Sequence, residues 1–166
     1  MSNGGIGPRE FRAVLGCYPT GVCVITARDG EGRRHGLVVG SFTSVSLDPP
    51  LVGFFPGKQS STWRAIETAG RFCVNVLGAD QLETCRRFAL KGEDRFDGLL
   101  CGTSPSGQPI LDSAVAWIDC SIDRVIEVGD HWFVVGAVEA LEADECGKPL
   151  LFYRGGYHDM ATRIDC

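Results

Sequence analysis

The segment Gly57-Lys58-Gln59-Ser60-Ser61-Thr62-Trp63 gathers one cation and three hydroxyls just ahead of a stretch that reads as a helix. A phosphate needs such groups: positive charge, hydroxyl donors, and the free N–H groups at a helix start, where the dipole is positive. The same residues also describe a plain serine N-cap beside a solvated lysine. They do not form a Walker A loop, because Gln59 follows Gly57-Lys58 and the upstream glycine spacing fails. No G-x-G-x-x-G lies between a strand and a helix, so the dinucleotide fingerprint of a Rossmann fold is missing too.

In Ser41-Phe42-Thr43-Ser44-Val45-Ser46-Leu47, hydroxyls alternate with apolar residues. Such a row suits the edge of a flat heteroaromatic ring, and equally an ordinary sheet with Ser and Thr facing water. Gly129-Asp130-His131 places a histidine just after a tight turn, at the start of a strand. The imidazole there is either a donor to a charged ligand, or an acid, or one part of a turn in which Asp130 caps backbone N–H groups. His35, His131 and His158 have no ligand spacing among them, so no metal site is expected. A serine-hydrolase elbow is also missing. None of the eight cysteines stands in C-x-x-C spacing. Cys23, Cys73 and Cys120 sit in apolar runs and read as small buried hydrophobes, with Cys166 exposed.

These residues must be positioned by regular elements. Residues 1–8 read as a loose Gly-rich tail, and Pro8 opens a helix with Phe11, Val14 and Leu15 on one face. Residues 21–28 form a β-branched strand, Asp29-Gly30-Glu31-Gly32 a turn, and Gly36–Phe42 the returning strand. Asp48-Pro49-Pro50 interrupts the next extended stretch, so a strand restarts at Leu51. Ser60 or Ser61 caps a helix that Gly70 ends, and Phe72–Leu77 is a strand. Asp80-Gln81-Leu82-Glu83 has the form of a capping box for a helix reaching Ala89. Residues 91–110 read as a surface loop. Two long strands follow, Ala114–Glu127 and His131–Leu141, joined at Gly129-Asp130, and a last short one spans Leu150–Tyr153. Six or seven hairpin-linked strands with three short helices, and no βαβ alternation, favour a closed antiparallel barrel over a doubly wound sheet.

The totals set the bounds. A chain of 166 residues, 44% of them apolar, suits one domain, here expected over residues 9–160 with tails at 1–8 and 161–166. The net charge of −5, with basic residues scattered among acids, argues against nucleic acid. No apolar run approaches the ~20 residues of a membrane helix, and the first nine residues have no apolar core of a secretory signal, so a cytoplasmic protein is expected.

Taken in order, F-R-x-V-L-G, T-G-V-x-V-I-T, S-F-T-S-V-S-L-D-P-P-L-V, S-S-T-W-x-A-I, G-R-F-C-V-N-V-L, R-R-F, D-R-F-D-G, G-x-P-I-L-D, A-W-I-D-C, G-D-H-W-F-V-V-G and P-L-L-F-Y-R-G-x-Y span roughly residues 11–157. The set resembles the short-chain flavin:NAD(P)H reductases, the small components of two-component flavin-dependent monooxygenases. That resemblance implies a mainly β protein with helices, a split β-barrel of antiparallel Greek-key type, working as a homodimer with a flavin at each subunit boundary. It implies hydride transfer from NAD(P)H to FMN or FAD, and a partner oxygenase that uses the reduced flavin. NADH is the expected donor and NADPH the other candidate, since no basic cluster marks a 2′-phosphate site.

By the same resemblance, Arg34, His35, Gly36, Leu37 and Val38, with Gly40 and Ser41, border the flavin ring and ribityl chain. Phe55, Pro56 and Gly57 lie under the flavin. Ser61 and Thr62 reach its phosphate, helped by Lys58, and Arg87 and Phe88 meet the phosphate or adenosine side. His131 faces the nicotinamide, as a positioning group rather than an obligatory acid, and Phe152, Tyr153, Arg154 and Gly155 lie where the nicotinamide nucleotide docks. Gly40 stands where relatives often carry Asn, Ser or Gln, which removes one side-chain contact to flavin. Two other readings use a similar barrel: a relative of pyridoxamine-phosphate oxidase, which would not consume NADH, and a module that binds flavin or haem without turnover.

Overall fold

The computed structural model describes residues 5–90 and 94–161. In chain order the elements are α1 (Pro8–Leu15), β1 (Thr20–Gly21), β2 (Cys23–Arg28), β3 (Arg34–Val39), β4 (Thr43–Leu47), β5 (Pro50–Phe54), α2 (Ser61–Ala69), β6 (Arg71–Val76), α3 (Leu82–Ala89), β7 (Cys101–Thr103), β8 (Pro109–Leu111), β9 (Ala116–Val128), β10 (His131–Ala143), β11 (Leu151–Tyr153) and β12 (Gly156–His158). Seven strands make one antiparallel sheet in the order β3-β2-β6-β9-β10-β5-β4. β1-β11-β12 form a small second sheet, and β7-β8 a two-stranded ribbon.

The two faces of β2 explain why the sheet is central. Cys23, Ile25 and Ala27 enter one core with Phe54, Trp63, Ile66, Phe72 and Val74. Val22 and Val24 enter a second core with Leu77, Cys85, Phe88, Phe96, Leu111 and Leu150. A strand buried on both sides reads as a continuous apolar run, and that is how this segment reads. Each buried polar group on this second face is matched. The Thr26 hydroxyl donates to the carbonyls of Cys73 and Pro109. Asn75 donates to the Val24 carbonyl at 3.2 Å and accepts from Leu111 N–H at 2.8 Å. Together they fasten the β7-β8 ribbon over β2 and β6.

The expected punctuation holds at several points. Ser60 Oγ accepts from Trp63 N–H at 3.1 Å, and Gly70 ends α2 with φ +72°, the left-handed value a glycine C-cap supplies. Gly129 turns β9 into β10 with positive φ at the first loop position alone, the pattern of a type II′ turn. Cys23, Cys73, Cys85 and Cys120 are buried and unpaired. Cys166 and most of the 161–166 tail lie outside the described residues.

Three expectations are corrected. Asp80 does not cap α3: the N-cap is Gln81, without a side-chain capping bond. Instead Gln81 accepts from Gly78 N–H and donates to the Asp112 carbonyl, so its amide bridges two loops. The 91–110 segment is more than a surface loop. It carries β7, leads into β8, and buries Phe96, Ser104 and Gln108. Its polar residues are satisfied inside, for example by Gln108 accepting from Arg28 N–H at 2.8 Å, and polarity alone does not reveal that. The strand count is also higher, because strands of two or three residues such as β12 are too short to show periodicity.

Candidate functional site

The residues singled out in the sequence fall into two neighbourhoods. The first is a cleft of about 200 Å³ where β3 meets the start of α2, lined by Arg34, His35, Gly36, Thr62, Asp94, Arg95 and Phe96. Arg34 lies 3.9 Å from Asp94 and its guanidinium sits over the Phe96 ring, 4.9 Å from the centroid. Arg95 Nη1 donates to the Gly36 carbonyl at 2.8 Å. Arg34 and Arg95 thus both line the cleft, where Asp94 is the one carboxylate among the lining residues. The N–H groups of Ser61 and Thr62, in the first turn of α2, have no acceptor among the described residues. Cationic side chains beside free helix N–H groups have the chemistry that suits an anion.

His35 faces this cleft from β3 and bonds Asp29 at 2.9 Å. That bond, with those from Arg33 and the Glu31 and Arg33 N–H groups, holds the Asp29 carboxyl far below the usual carboxylate range. Leu37 packs towards one core and Val38 towards the other, as alternate positions of a strand must. Gly36 has no room for a side chain: a Cβ there would fall 2.1 Å from Phe88 Cε1. Phe88 is buried edge-on to Phe96, and Arg87 donates to the Asp97 carbonyl. Neither borders the cleft. Arg95, not Arg87, lines this cleft, and its sign in the sequence is the D-R-F-D-G stretch.

The second neighbourhood is an apolar groove of about 1,030 Å³ between α1 and the rim of the main sheet. Ser41, Phe55, Val128, Asp130 and His131 form one wall, and Ile6, Pro8, Phe11, Arg12 and Leu15 the other. A recess of about 410 Å³ shares Ser41 and Phe55 with it and extends past Gly40, Phe42, Thr20 and Tyr18. Ser41 Oγ accepts from Phe55 N–H at 3.0 Å, and the Phe55 ring stacks on Phe133 at 4.7 Å. Pro56-Gly57-Lys58 runs alongside the turn before β10: Trp132 N–H donates to the Pro56 carbonyl at 2.9 Å, and Lys58 N–H to the Asp130 carbonyl at 3.1 Å. His131 Nδ1 bonds Asp130 Oδ1 at 2.7 Å, and this hydrogen bond lowers the Asp130 pKa. Gly57 lies beside this imidazole: a Cβ there would fall 3.9 Å from His131 Nε2, an ordinary contact.

Lys58 does not reach the α2 cleft. Its ammonium pairs with Glu127 and lies 5.3 Å from the Trp132 ring centroid. Phe152 pairs with Thr20 in the small sheet and packs edge-on to Tyr157. Arg154 and Gly155 form the β11-β12 turn, both with positive φ, +48° and +77°. Arg154 N–H donates to the Gly16 carbonyl at 2.9 Å, and its guanidinium lies over Tyr153 and donates to Cys17 Sγ. The hairpin therefore anchors the end of α1. No cluster of metal-ligating residues occurs among the described residues.

A family model described as the flavin reductase like domain matches residues 15–161. The chain is 55% identical over 157 residues to a flavin reductase of Pseudomonas putida, covering 95% of this chain and 92% of that one. It is 49% identical over 152 residues to the reductase subunit HsaB of a flavin-dependent monooxygenase from Rhodococcus jostii, covering 92% and 77%. A solved nitrilotriacetate monooxygenase component B homologue from Mycobacterium thermoresistibile superposes with TM-score 0.89 at 43% identity, covering 95% and 91%. The Streptomyces globisporus NADH:FAD oxidoreductase SgcE6, solved with NAD and FAD fragments, gives TM-score 0.90 at 33% identity, covering 97% and 99%. The family model over most of the chain and the 55% identical relative together show that the chain belongs to the flavin reductase-like domain family.

Proposed function

We propose that this protein is an NAD(P)H:flavin oxidoreductase that reduces FMN or FAD and passes reduced flavin to a partner oxygenase. The observation that carries the reading is the 55% identity, over nearly the whole of both chains, to a protein named flavin reductase. Relatives named NADH:FMN oxidoreductase and NADH:riboflavin 5'-phosphate oxidoreductase support NADH as donor. The fold is read as the split β-barrel of that family, and the working form as a homodimer. Exposed apolar side chains on β4, Val45 and Leu47, support an assembly that covers them. The seven cysteines among the described residues are all unpaired, which suits a reducing cytoplasm.

The residues fit a flavin nucleotide. The phosphate is assigned to the N–H groups of Ser61 and Thr62 with Arg34 and Arg95, where an anion satisfies orphan donors and adds negative charge to a cleft lined by two guanidinium groups and one carboxylate. The ring is assigned to Gly40, Ser41, Phe55, Pro56 and Gly57, next to His131. Bound together, nicotinamide and flavin supply the redox chemistry, a hydride passing from one to the other. The protein's part is to bind, orient and exclude water. Phe55, held by Ser41 and Phe133, gives a fixed apolar surface. The backbone bonds from Pro56 and Lys58 to the β10 turn set the position of His131. Asp130 orients the imidazole, and a protonated Nδ1 donating to that carboxylate leaves Nε2 as an acceptor towards the groove. His131 acts as a positioning group: His131→Ala weakens nicotinamide binding, and loss of hydride transfer with unchanged binding would contradict that role.

The test is direct. Purified protein is mixed with NADH or NADPH and with FMN or FAD, and loss of reduced-nicotinamide absorbance is followed. Steady oxidation with at least one pair is expected. No oxidation with any of the four combinations would refute the reductase reading and leave a flavin-binding role without turnover.

A further inference from the structure

We propose that α1 is one wall of the nicotinamide-nucleotide site, and that Arg12 on it binds the phosphates of that substrate. The inference rests on the flavin-reductase reading and adds to it an element and a cation with no assigned role there.

Helix α1 has eight residues and none of them is buried. A helix so short is marginal by itself and takes its stability from an apolar face against something else. Its apolar face is nonetheless half open, with Phe11 56% and Leu15 50% exposed. It is fastened at its C-terminal end, where Gly16 and Cys17 receive bonds from Arg154. Across the groove from Phe11, Arg12 and Leu15 stand Ser41, Phe55 and His131. At about 1,030 Å³ the space lies at the upper end of ligand pockets, enough for more than a single ring system.

Charge selects the occupant. A nicotinamide dinucleotide carries a pyrophosphate, whereas the chain as a whole has net charge −5. Favourable binding then requires a local cation. Arg12 is the one Lys or Arg among the residues lining the groove, and it forms no salt bridge among the described residues. Nearby Lys58 is already matched by Glu127. Apolar walls for rings and an unmatched guanidinium for phosphate, across the groove from His131 and the Asp130 carboxylate that His131 bonds, together fit a nicotinamide dinucleotide better than a purely apolar partner.

The experiment compares the full-length protein with Arg12→Glu, Arg12→Lys, Phe11→Ala and, as a control on a helix residue that does not line the groove, Arg9→Glu. Steady-state kinetics are measured at saturating flavin, and NAD⁺ binding is followed by amide hydrogen exchange of α1. Loss of a charge-assisted bond predicts a ~10–100-fold rise in KM for NADH in Arg12→Glu. The flavin KM stays unchanged and kcat stays within about twofold, because the contact is equal in ground and transition states. Arg12→Lys recovers most of the loss, and Arg9→Glu resembles wild type. NAD⁺ slows exchange in α1 of wild type and fails to do so in Arg12→Glu. An active enzyme whose KM for NADH is indifferent to Arg12→Glu overturns the proposal. So does Phe11→Ala that only splits a dimer and leaves KM intact, since a second copy of the chain would then be what covers α1. A wild type that binds NAD⁺ with protection of α1 but oxidises no NADH refutes the reductase reading and leaves this one standing.

Discussion

Gly36 joins the stability of the fold to the shape of the cleft between β3 and α2. An alanine there would place its Cβ 2.1 Å from Phe88 Cε1 and 2.5 Å from Cδ1. Carbon atoms in contact prefer about 3.5–4.0 Å, so more than an ångström of movement is required. The ring cannot supply it, because Phe88 is 2% exposed and stands edge-on to Phe96 with centroids 5.0 Å apart. Overpacking of this kind costs ~1–3 kcal/mol, and so close an overlap belongs in the upper half of that range. For a domain of this size that predicts a Tm lower by roughly 4–12 °C, read by circular dichroism of the flavin-free protein. Phe88→Leu opens space, so Gly36→Ala/Phe88→Leu should lose less than the sum of the single changes, with a coupling of ~0.5–3 kcal/mol. Gly36 also lines the cleft and its carbonyl receives Arg95. Flavin affinity should therefore fall in the single variant and recover in the double one. A Tm within about 1 °C of wild type, or strict additivity, would refute the steric reasoning.

Arg95→Met should raise the flavin KM by ~10-fold or more through loss of a charge-assisted phosphate bond, whereas Arg87→Met, on the Asp97 carbonyl, should leave it unchanged; initial rates at varied FMN and FAD check both. Asn75→Leu keeps the bulk but strands the buried Leu111 N–H, so a loss of ~1–3 kcal/mol is expected in urea unfolding, and an unaltered midpoint would argue against the pinning of β8. Burial pushes the thiols of Cys23 and Cys73 up to about 12. In a native protein at pH 7.5 they should resist alkylation, while exposed Cys17 and Cys146 react, as peptide mass spectrometry would show. The same shift makes stability fall on the alkaline side: above about pH 8.5 the unfolded thiol ionises and the native one does not, removing ~1.4 kcal/mol per pH unit for each buried thiol until the folded pKa is reached. Cys23→Ala/Cys73→Ala should flatten that alkaline slope.

Much of the architecture was legible because its signals are local. The αL glycine at 70, the Ser60 cap, the hairpin at Gly129-Asp130 and the apolar run of β2 each depend on a few adjacent residues. The ordered motifs from Phe11 to Tyr157 carried the family reading, and the match over 15–161 agrees with it. The site was legible in part. Thr62, Arg34, His35 and Gly36 do meet in one cleft, and Ser41, Phe55 and His131 in one groove.

Residue types and spacing by themselves determined an antiparallel, mainly β chain, three candidate binding segments, and the lack of a nucleophilic triad or metal motif, because propensity, capping and turn chemistry act within a few residues. Only the tertiary structure decided which cations are committed. Lys58, next to the phosphate segment in sequence, is matched by Glu127 from β9, and Arg87 is spent on a loop carbonyl. Arg95, from a stretch that reads as an ordinary loop, instead reaches the cleft because the buried Phe96 anchors that loop beneath β3. Which charge meets which ligand is set by distances of a few ångströms between segments tens of residues apart, and those are fixed by the packing of the two cores, not by the local order of residues.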